Sequence, residues 1–343
     1  MIKRKKLFKI ALSFLLIGAV LMGLGYVLGG SKAIFYNGNG INISNSNDMV
    51  TERKAIDDFK NINICANYSE VKIEKGDKYE IETIYNKEYG DISCEVSDNT
   101  LIVNENSKKN RSFNISFFNF KEINNRNKIT IYVPDGTELE YLEGNIDAGD
   151  MTVNSINPKD INIECDYGEV ELGDINCTNM KVHNKSGDIQ IYNINSDEVV
   201  TTSNYGDVEI NNIQSKSFTC DLDAGQMKFG NLSIEKAAIT NSFGDIIGKN
   251  LLSNGTDIVS QSGTIDISGT LKGKNVIDCE FGDVDIESSL SENDYSYNLD
   301  TNFGECTVNG KERGNSFEKT GDSCENVINA VCNSGDLNIK FAK

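Results

Sequence analysis

Three consecutive stretches of this sequence decide the fold. They read DINIECDYGEVEL from residue 160, NMKVHNKSGDIQI from residue 179 and EVVTTSNYGDVEI from residue 198, each starting 19 residues after the one before. Apolar and polar residues alternate in each stretch, which is the pattern of a β-strand with one buried face. A glycine and an acidic residue then interrupt the alternation. We interpret each copy as a strand, a corner and a second strand.

The same glycine recurs on a fixed period. Eight copies are 19 residues apart, and two more follow after intervals of 22 and 31 residues. The ten glycines are Gly149, Gly168, Gly187, Gly206, Gly225, Gly244, Gly263, Gly282, Gly304 and Gly335. A fixed period of this kind is the signature of a repeat array, whose units bury their apolar faces by stacking on each other. The sequence therefore predicts an all-β protein, a parallel β-solenoid of about 19-residue repeats.

Most of these glycines are followed by an acidic residue. The predicted corner residues are Gly149, Asp150, Gly168, Glu169, Gly187, Asp188, Gly206, Asp207, Gly244, Asp245, Gly282 and Asp283. Glycine relaxes the backbone at a corner, and an aspartate can accept hydrogen bonds from amides of its own turn. A ladder of acids repels itself and could attract Ca²⁺. Because a carboxylate that satisfies its own turn needs no metal, we expect neither a metal nor a cofactor.

The residue before each glycine alternates between small and aromatic. The series is Ala148, Tyr167, Ser186, Tyr205, Ala224, Phe243, Ser262 and Phe281. Two geometries explain it. If one coil takes a single repeat, large and small side chains interdigitate in the core, whereas if one coil takes a pair of repeats, the aromatic residues stack along one edge.

The N-terminus predicts a membrane anchor. A basic cluster, residues 3–9, precedes 19 uncharged and mostly apolar residues, 10–28, which suffice to span a bilayer as a helix. We expect a single-pass anchor with a cytoplasmic N-terminus and an extracellular array; a cleaved signal peptide is the rival. The expected organisation is a basic tail and transmembrane anchor (1–30), a flexible stalk (31–55), a β capping region (56–144) and the repeat domain with C-terminal closing loops (145–343).

The capping region contains a phenylalanine-rich loop and a weak copy of the repeat. The loop reads RSFNISFFNF from residue 111 and contains Phe113, Phe117, Phe118 and Phe120. We expect it either to cover the first coil or to contact lipid or a partner. Residues 89–92 read YGDI and predict a degenerate copy of the corner.

The residue types argue against several functions. A net charge of −19 argues against nucleic acid as a partner, because phosphate binding needs a basic surface. The only histidine, His183, falls on the outward face of its strand, and no catalytic motif or clustered set of metal ligands occurs, so we expect a non-catalytic protein. Nine cysteines include three inward ones, Cys165, Cys279 and Cys332, expected to be free apolar fillers. Cys306 and Cys324 are the one candidate disulfide pair.

The chain resembles the bacterial, membrane-anchored "putative adhesin" β-strand-repeat family of unknown function. The resemblance is carried by GLGYVLGG at the end of the apolar run, by residues 56–81 (IDDFKNINICANYSEVKIEKGDKYEI), by ITIYVPDGTELE from residue 129, by the glycine–acid repeats and by the closing SGDLNIKF. It implies a membrane-tethered solenoid facing the cell surface, with some relatives linked to envelope stress. It offers no catalytic residues to carry over.

Together these features predict a non-catalytic interaction module at the bacterial envelope. One hypothesis is a sensor or scaffold that binds an envelope protein or a cationic peptide. The alternatives are an adhesin that binds a surface polymer or host glycan, and a solenoid enzyme that modifies polysaccharide. Aromatic residues lining a binding surface would favour a glycan ligand. A bare acidic edge would favour a cationic ligand, and a compact cluster of carboxylates would favour an enzyme.

Overall fold

The structure is a computed structural model that describes residues 14–15, 17–18, 20–21, 24, 33–36, 41–44, 49–87, 90–107, 126–321 and 325–342. Most of the expected anchor, the four phenylalanines of the loop and Cys324 lie outside these residues. The described residues between 14 and 24 are helical. Within the described part of the chain, no helix has the length and apolar character needed to cross a bilayer.

Apart from one short 3-10 helix, the other regular elements of the described protein are β-strands, and the large sheet is mostly parallel. The strands that carry the 19-residue repeat are β10 (Leu139–Ala148), β11 (Met151–Asn154), β12 (Pro158–Tyr167), β13 (Val170–Asn176), β14 (Asn179–Ser186), β15 (Ile189–Tyr205), β16 (Val208–Ala224), β17 (Met227–Phe243), β18 (Ile246–Ser253), β19 (Thr256–Ser262), β20 (Ile265–Leu271), β21 (Lys274–Phe281) and β22 (Val284–Ser291).

The strand register decides between the two coil geometries. Ile189 pairs with Val208, which pairs with Met227, so that each residue lies beside the residue 19 positions further along. One coil therefore takes one repeat, as a β-solenoid of 19-residue units requires. Because neighbouring parallel strands lie about 4.8 Å apart, each repeat advances the stack by that distance.

The N-terminal end of the stack does not follow chain order. Its strands are β3 (Met49–Ala55), β4 (Asn61–Ala66), β5 (Glu70–Gly76), β6 (Glu80–Asn86), β7 (Gly90–Ser97), β8 (Thr100–Ser107) and β9 (Lys128–Pro134). The coil made of β4 and β5 lies between the coil of β10 and β11 and the outermost coil, β8 and β9. Three antiparallel strands then extend this outermost coil. Strand β7 pairs with β8, β6 pairs with β9, and β3 pairs with β6. The expected corner copy at residue 90 is thus wrong, because Gly90 begins an antiparallel edge strand.

Two expected domain boundaries differ from the strands. Strand β10 crosses residue 145, so the expected capping region and the repeat domain share one continuous sheet. Strand β3 occupies the end of the segment expected to be a stalk. Earlier in that segment, β1 (Ala33–Tyr36) and β2 (Ile41–Ser44) form an antiparallel pair of their own.

The C-terminal end is also out of chain order. Its strands are β23 (Tyr295–Phe303), β24 (Cys306–Val308), β25 (Lys311–Glu312), β26 (Ser316–Lys319), β27 (Asn326–Ser334) and β28 (Leu337–Ala342), and a short 3-10 helix (Glu292–Asp294) precedes β23. The last repeat in sequence, β27 and β28, lies between the coil of β21 and β22 and the terminal coil of β23 and β24. The closing loops expected near the C-terminus are partly strands, because β25 and β26 pair antiparallel with the terminal coil.

The core runs the length of the stack. In one coil, Ile189, Ile191, Ile194, Val199 and Thr201 are buried, and their polar neighbours point outward. The inward spacing changes from two residues to three after Ile191, where Asn193 adopts a left-handed conformation with φ of 56°. This second bend, together with the glycine corner, lets a short coil close around a core that only neighbouring coils complete.

Candidate interaction edge

The glycine corners form a continuous column along one edge of the stack. From Gly168 onward most of these glycines have φ between 133° and 150°, a region that other residues rarely adopt. A Cβ atom at Gly206 would overlap the carbonyl oxygen of Gly187 in the neighbouring coil, and the same holds from each glycine to the next. The column requires glycine because backbone approaches backbone at every corner.

The corner aspartates stabilise this column, but not in the predicted way. Asp207 Oδ1 accepts a hydrogen bond of 2.8 Å from the backbone N–H of Gln226, which lies in the next coil rather than in the turn of Asp207 itself. All six aspartates of this row do the same toward the next coil in space: Asp150, Asp188, Asp207, Asp245, Asp283 and Asp336. The amide would otherwise lack a partner in the ladder, so each acid joins two coils.

A second polar column closes the corner from inside. Three residues before several of the glycines, a buried side chain donates to the carbonyl oxygen of a glycine in the adjacent coil. Ile146 and Leu222 occupy this position in two other coils and cannot donate. Asn184 Nδ2 donates to the Gly168 oxygen at 2.8 Å and Thr301 Oγ1 to the Gly335 oxygen at 2.9 Å. The inward cysteines occupy this column, and Cys332 Sγ lies 3.1 Å from the Gly282 oxygen. The cysteines are buried, as expected of apolar fillers, and their thiols also donate to a glycine carbonyl oxygen of the adjacent coil.

Burial keeps the thiols of this column protonated. Burial raises the pKa of the Cys165 thiol to about 11 and that of Cys279 to about 12. All eight described cysteines are free. Cys306 is one of these free cysteines and is buried, so the expected disulfide between Cys306 and Cys324 is wrong; Cys324 itself lies outside the described residues.

The aromatic residues before the glycines are exposed, and this corrects the expectation that they interdigitate in the core. Six lie along the corner edge with between 52% and 75% of their surface accessible: Tyr68, Tyr167, Tyr205, Phe243, Phe281 and Phe303. The inward series of each strand ends at the residue three before the glycine, because the chain turns outward into the corner. Among the described residues no ring contact joins any two of the six.

The aromatic residues occupy every second coil in space. Tyr205 lies beside Ser186 on one side and Ala224 on the other, and Phe243 lies between Ala224 and Ser262. In sequence the alternation breaks at the end, since Phe281 is followed by Phe303 and only then by Ser334. In space Ser334 pairs with both phenylalanines and separates them. The displaced C-terminal coil thus restores the alternation.

Hydrogen-bonding side chains flank the aromatic residues on both sides. Two residues before the glycines lie polar groups such as Asp166, which pairs with Lys185 at 2.5 Å, and Asn204, which donates to Asp223 at 3.0 Å. After the glycines comes the aspartate row, in which four coils carry another residue, namely Glu169, Gln226, Thr264 and Glu305. Burial, followed by repulsion from Asp150 and Asp188 in the neighbouring coils, raises the pKa of the Glu169 carboxyl. We call these three rows, aromatic and flanking, the aromatic edge.

The second bend of the coil carries another ladder that the sequence reasoning missed. Its left-handed residues are again 19 apart and have φ between 55° and 58°: Ser155, Asp174, Asn193, Asn212, Asn231 and Asn250. Asn212 Nδ2 donates to Asn193 Oδ1, and Asn231 Nδ2 to Asn212 Oδ1, both at 2.9 Å. The signal was present, because asparagine recurs four times with the same period as the glycines.

A shallow groove lies beyond this bend and has a different character. Its volume is about 380 Å³, and its walls include Asp197, Lys216, Leu252 and Lys272 but no aromatic residue. Lys216 and Asp197 lie in neighbouring coils and form an ion pair, with 2.8 Å between Nζ and Oδ1. Of the two candidate surfaces, only the edge presents aromatic side chains in a regular row.

Comparison with known proteins identifies the architecture. Residues 59–200 and 184–340 each match the family model described as Toastrack DUF4097. Similar solved structures include a "putative lipid binding protein" from Parabacteroides distasonis (14% identity, TM-score 0.44, covering 87% of this chain and 98% of that one). A "putative adhesin" from Bacteroides fragilis is also similar (14% identity, TM-score 0.34, covering 86% and 98%). No curated protein matches the chain.

Proposed function

We propose, on the premise that this chain belongs to the Toastrack DUF4097 family, that it is a non-catalytic interaction module of the bacterial envelope whose recognition surface is the aromatic edge. One observation carries the proposal: six exposed aromatic side chains recur at every second coil along a single edge. Exposed aromatic residues are costly in water, and a regular row of them is typical of a surface that binds a partner.

The distribution of charged groups supports a binding role rather than catalysis. The acids of the aromatic edge are spread over successive coils, and in the aspartate row one carboxylate oxygen is used to join coils. Within the described ranges no three acidic, histidine or cysteine side chains converge as metal ligands would. The only histidine, His183, lies between the buried Val182 and Asn184 on the outward side of its strand.

The proposal includes a location. The basic cluster before the apolar run at residues 10–28 supports a membrane anchor with its N-terminus in the cytoplasm and the stack outside. Cys65 offers a test because its side chain is exposed. A maleimide that cannot cross membranes should label the chain in intact cells, and Cys65→Ser should reduce the labelling. Labelling that appears only after lysis would contradict the location.

The recognition surface is tested by capture on envelope material. The full-length chain carrying Tyr167→Ser, Tyr205→Ser and Phe243→Ser should lose binding to isolated envelopes. The variant should still fold, since serine already occupies this position in other coils. The matched control carries Tyr141→Ser, Leu252→Ser and Val259→Ser, which remove exposed apolar side chains away from the edge. Equal loss in both variants, or unchanged binding in the first, would overturn the assignment.

A further inference from the structure

We infer that the aromatic edge binds an uncharged, β-1,4-linked polysaccharide lying along the stack, with one aromatic ring for each disaccharide. This inference rests on the proposed function and names the ligand of the same surface. It depends on three properties of the edge, namely its period, its hydrogen-bonding groups and its charge.

The period selects among linear polymers. Aromatic residues on every second coil are separated by roughly 10 Å, since one coil advances about 4.8 Å. An extended peptide presents the same face every two residues, or about 6.7 Å, and an α-helix repeats about every 5.4 Å. In an extended β-1,4-linked chain successive pyranose rings are flipped, so one face recurs once per disaccharide, a length close to two coils.

The aromatic residues have room to stack on sugars. Tyr205 and Phe243 are separated by Ala224, and the coils beyond them present Ser186 and Ser262. These small side chains leave open the space beside each ring. The C–H face of a pyranose is apolar and can pack on an aromatic face, while the hydroxyl groups at its rim remain available for hydrogen bonds.

The flanking rows distinguish a glycan from a proline-rich peptide. A polyproline II helix rises about 3.1 Å per residue, so its three-residue repeat also approaches the period of the edge. The groups beside the aromatic residues are largely acceptors, such as Asp188, Asp207 and Asp223. A proline offers no N–H to donate, whereas sugar hydroxyls donate readily. The edge therefore complements the glycan better.

The charge excludes polyanions. The chain carries a net charge of −19, and the carboxylates of the aspartate row follow the whole edge. A phosphate-bearing or carboxylate-bearing polymer would be repelled along its full length. An uncharged polysaccharide escapes this repulsion and still uses the carboxylates as acceptors.

The length of the row sets the size of the ligand. From Tyr68 to Phe303 the edge crosses ten coil intervals, or roughly 50 Å. Affinity should therefore rise with each added disaccharide up to about ten sugars, because each successive ring binds a chain that is already held. A short sugar alone should bind weakly.

Calorimetry on the full-length protein tests the inference. The probes are β-1,4-linked N-acetylglucosamine oligomers and glucose oligomers of two, four, six and eight sugars, and a proline-rich peptide of ten residues. We expect affinity for at least one sugar series to increase with length. Each aromatic-to-serine change at Tyr205 or Phe243 should weaken binding about threefold to tenfold, whereas Leu252→Ser should not.

A change that adds an aromatic residue tests the period itself. Ala224→Phe would fill the gap between Tyr205 and Phe243 and increase the apolar area of the edge. Loss of sugar binding in this variant would support the match in period, whereas a gain would indicate unspecific apolar adsorption and overturn it.

The outcomes separate this inference from the proposed function. If envelope capture depends on the aromatic residues but no sugar series binds, the glycan inference fails and the interaction module stands. Binding of the proline-rich peptide in place of the sugars would also overturn the glycan inference. If the serine variants keep full envelope capture, the proposed function fails.

Discussion

Each coil turns at two repeated positions, and the two bends solve the same problem differently. At the glycine corner the backbones of neighbouring coils are so close that no Cβ fits. At the asparagine bend the residue adopts a left-handed conformation and is exposed, so that asparagine is tolerated and its side chain can join the ladder. The comparison shows that close approach makes glycine obligatory, whereas a left-handed φ alone only makes it convenient.

The largest expected effect breaks the glycine corner. Gly206→Ala should destabilise the protein by about 3 kcal/mol or more, because its Cβ would overlap the Gly187 carbonyl and its φ of 143° is unfavourable for alanine. Urea denaturation measures the change. Gly230→Ala is the control, since its Cβ would meet only the end of the Asn211 side chain. Similar losses in both variants would refute the close-approach argument.

The asparagine bend should be less sensitive and should respond to glycine. Asn212→Ala should cost about 1–2 kcal/mol, because alanine is disfavoured at a φ of 58°. It also loses the hydrogen bonds to Asn193 and Asn231. Asn212→Gly should recover the conformational part of this loss. If glycine proves no better than alanine in the same denaturation series, the side-chain ladder rather than φ governs the bend.

The aspartate row should contribute a smaller amount at each coil. Asp207→Ala removes the acceptor of the Gln226 amide and should cost about 1 kcal/mol, as removal of a side-chain cap does elsewhere. Asp207→Asn retains an oxygen acceptor and should recover most of the stability. Equal losses for alanine and asparagine would show that the carboxylate charge, and not the hydrogen bond, matters.

The smallest effect concerns Glu169, which interrupts the aspartate row. Its pKa is raised in the folded state by burial and by the neighbouring carboxylates, so the folded chain holds this proton more tightly than the unfolded chain. Stability should therefore fall slightly as pH rises from about 4.5 through the folded pKa. Glu169→Gln should remove this dependence and slightly stabilise the protein at neutral pH. An unchanged pH profile of the melting temperature would contradict this assignment.

The corner illustrates what a sequence pattern can and cannot reveal. The glycine column and the inward cysteines were predictable, because period and parity report which residues face the core. The hydrogen-bond donor to the Asp207 carboxylate was not predictable, because an aspartate at a corner can accept from a backbone N–H of its own turn or from one in the next coil. The exposure of Tyr167 escapes prediction for a related reason. Simple alternation of inward and outward residues would place Tyr167 in the core, but the chain has already turned outward into the corner at this residue.

The sequence by itself determined the repeat, the parallel stacking and the glycine corners, because with a strict 19-residue period glycine meets glycine whether a coil takes one repeat or two. The tertiary structure decided that one coil takes one repeat. Only the tertiary structure decided the order of the coils at the two ends. The two longer intervals between the last glycines do not reveal the order in which the last coils stack. A longer connection allows the next coil either to stack directly on the preceding coil or to leave room for a later coil between them. That choice places Ser334 between Phe281 and Phe303, and so the spacing of the aromatic edge is a property of the fold.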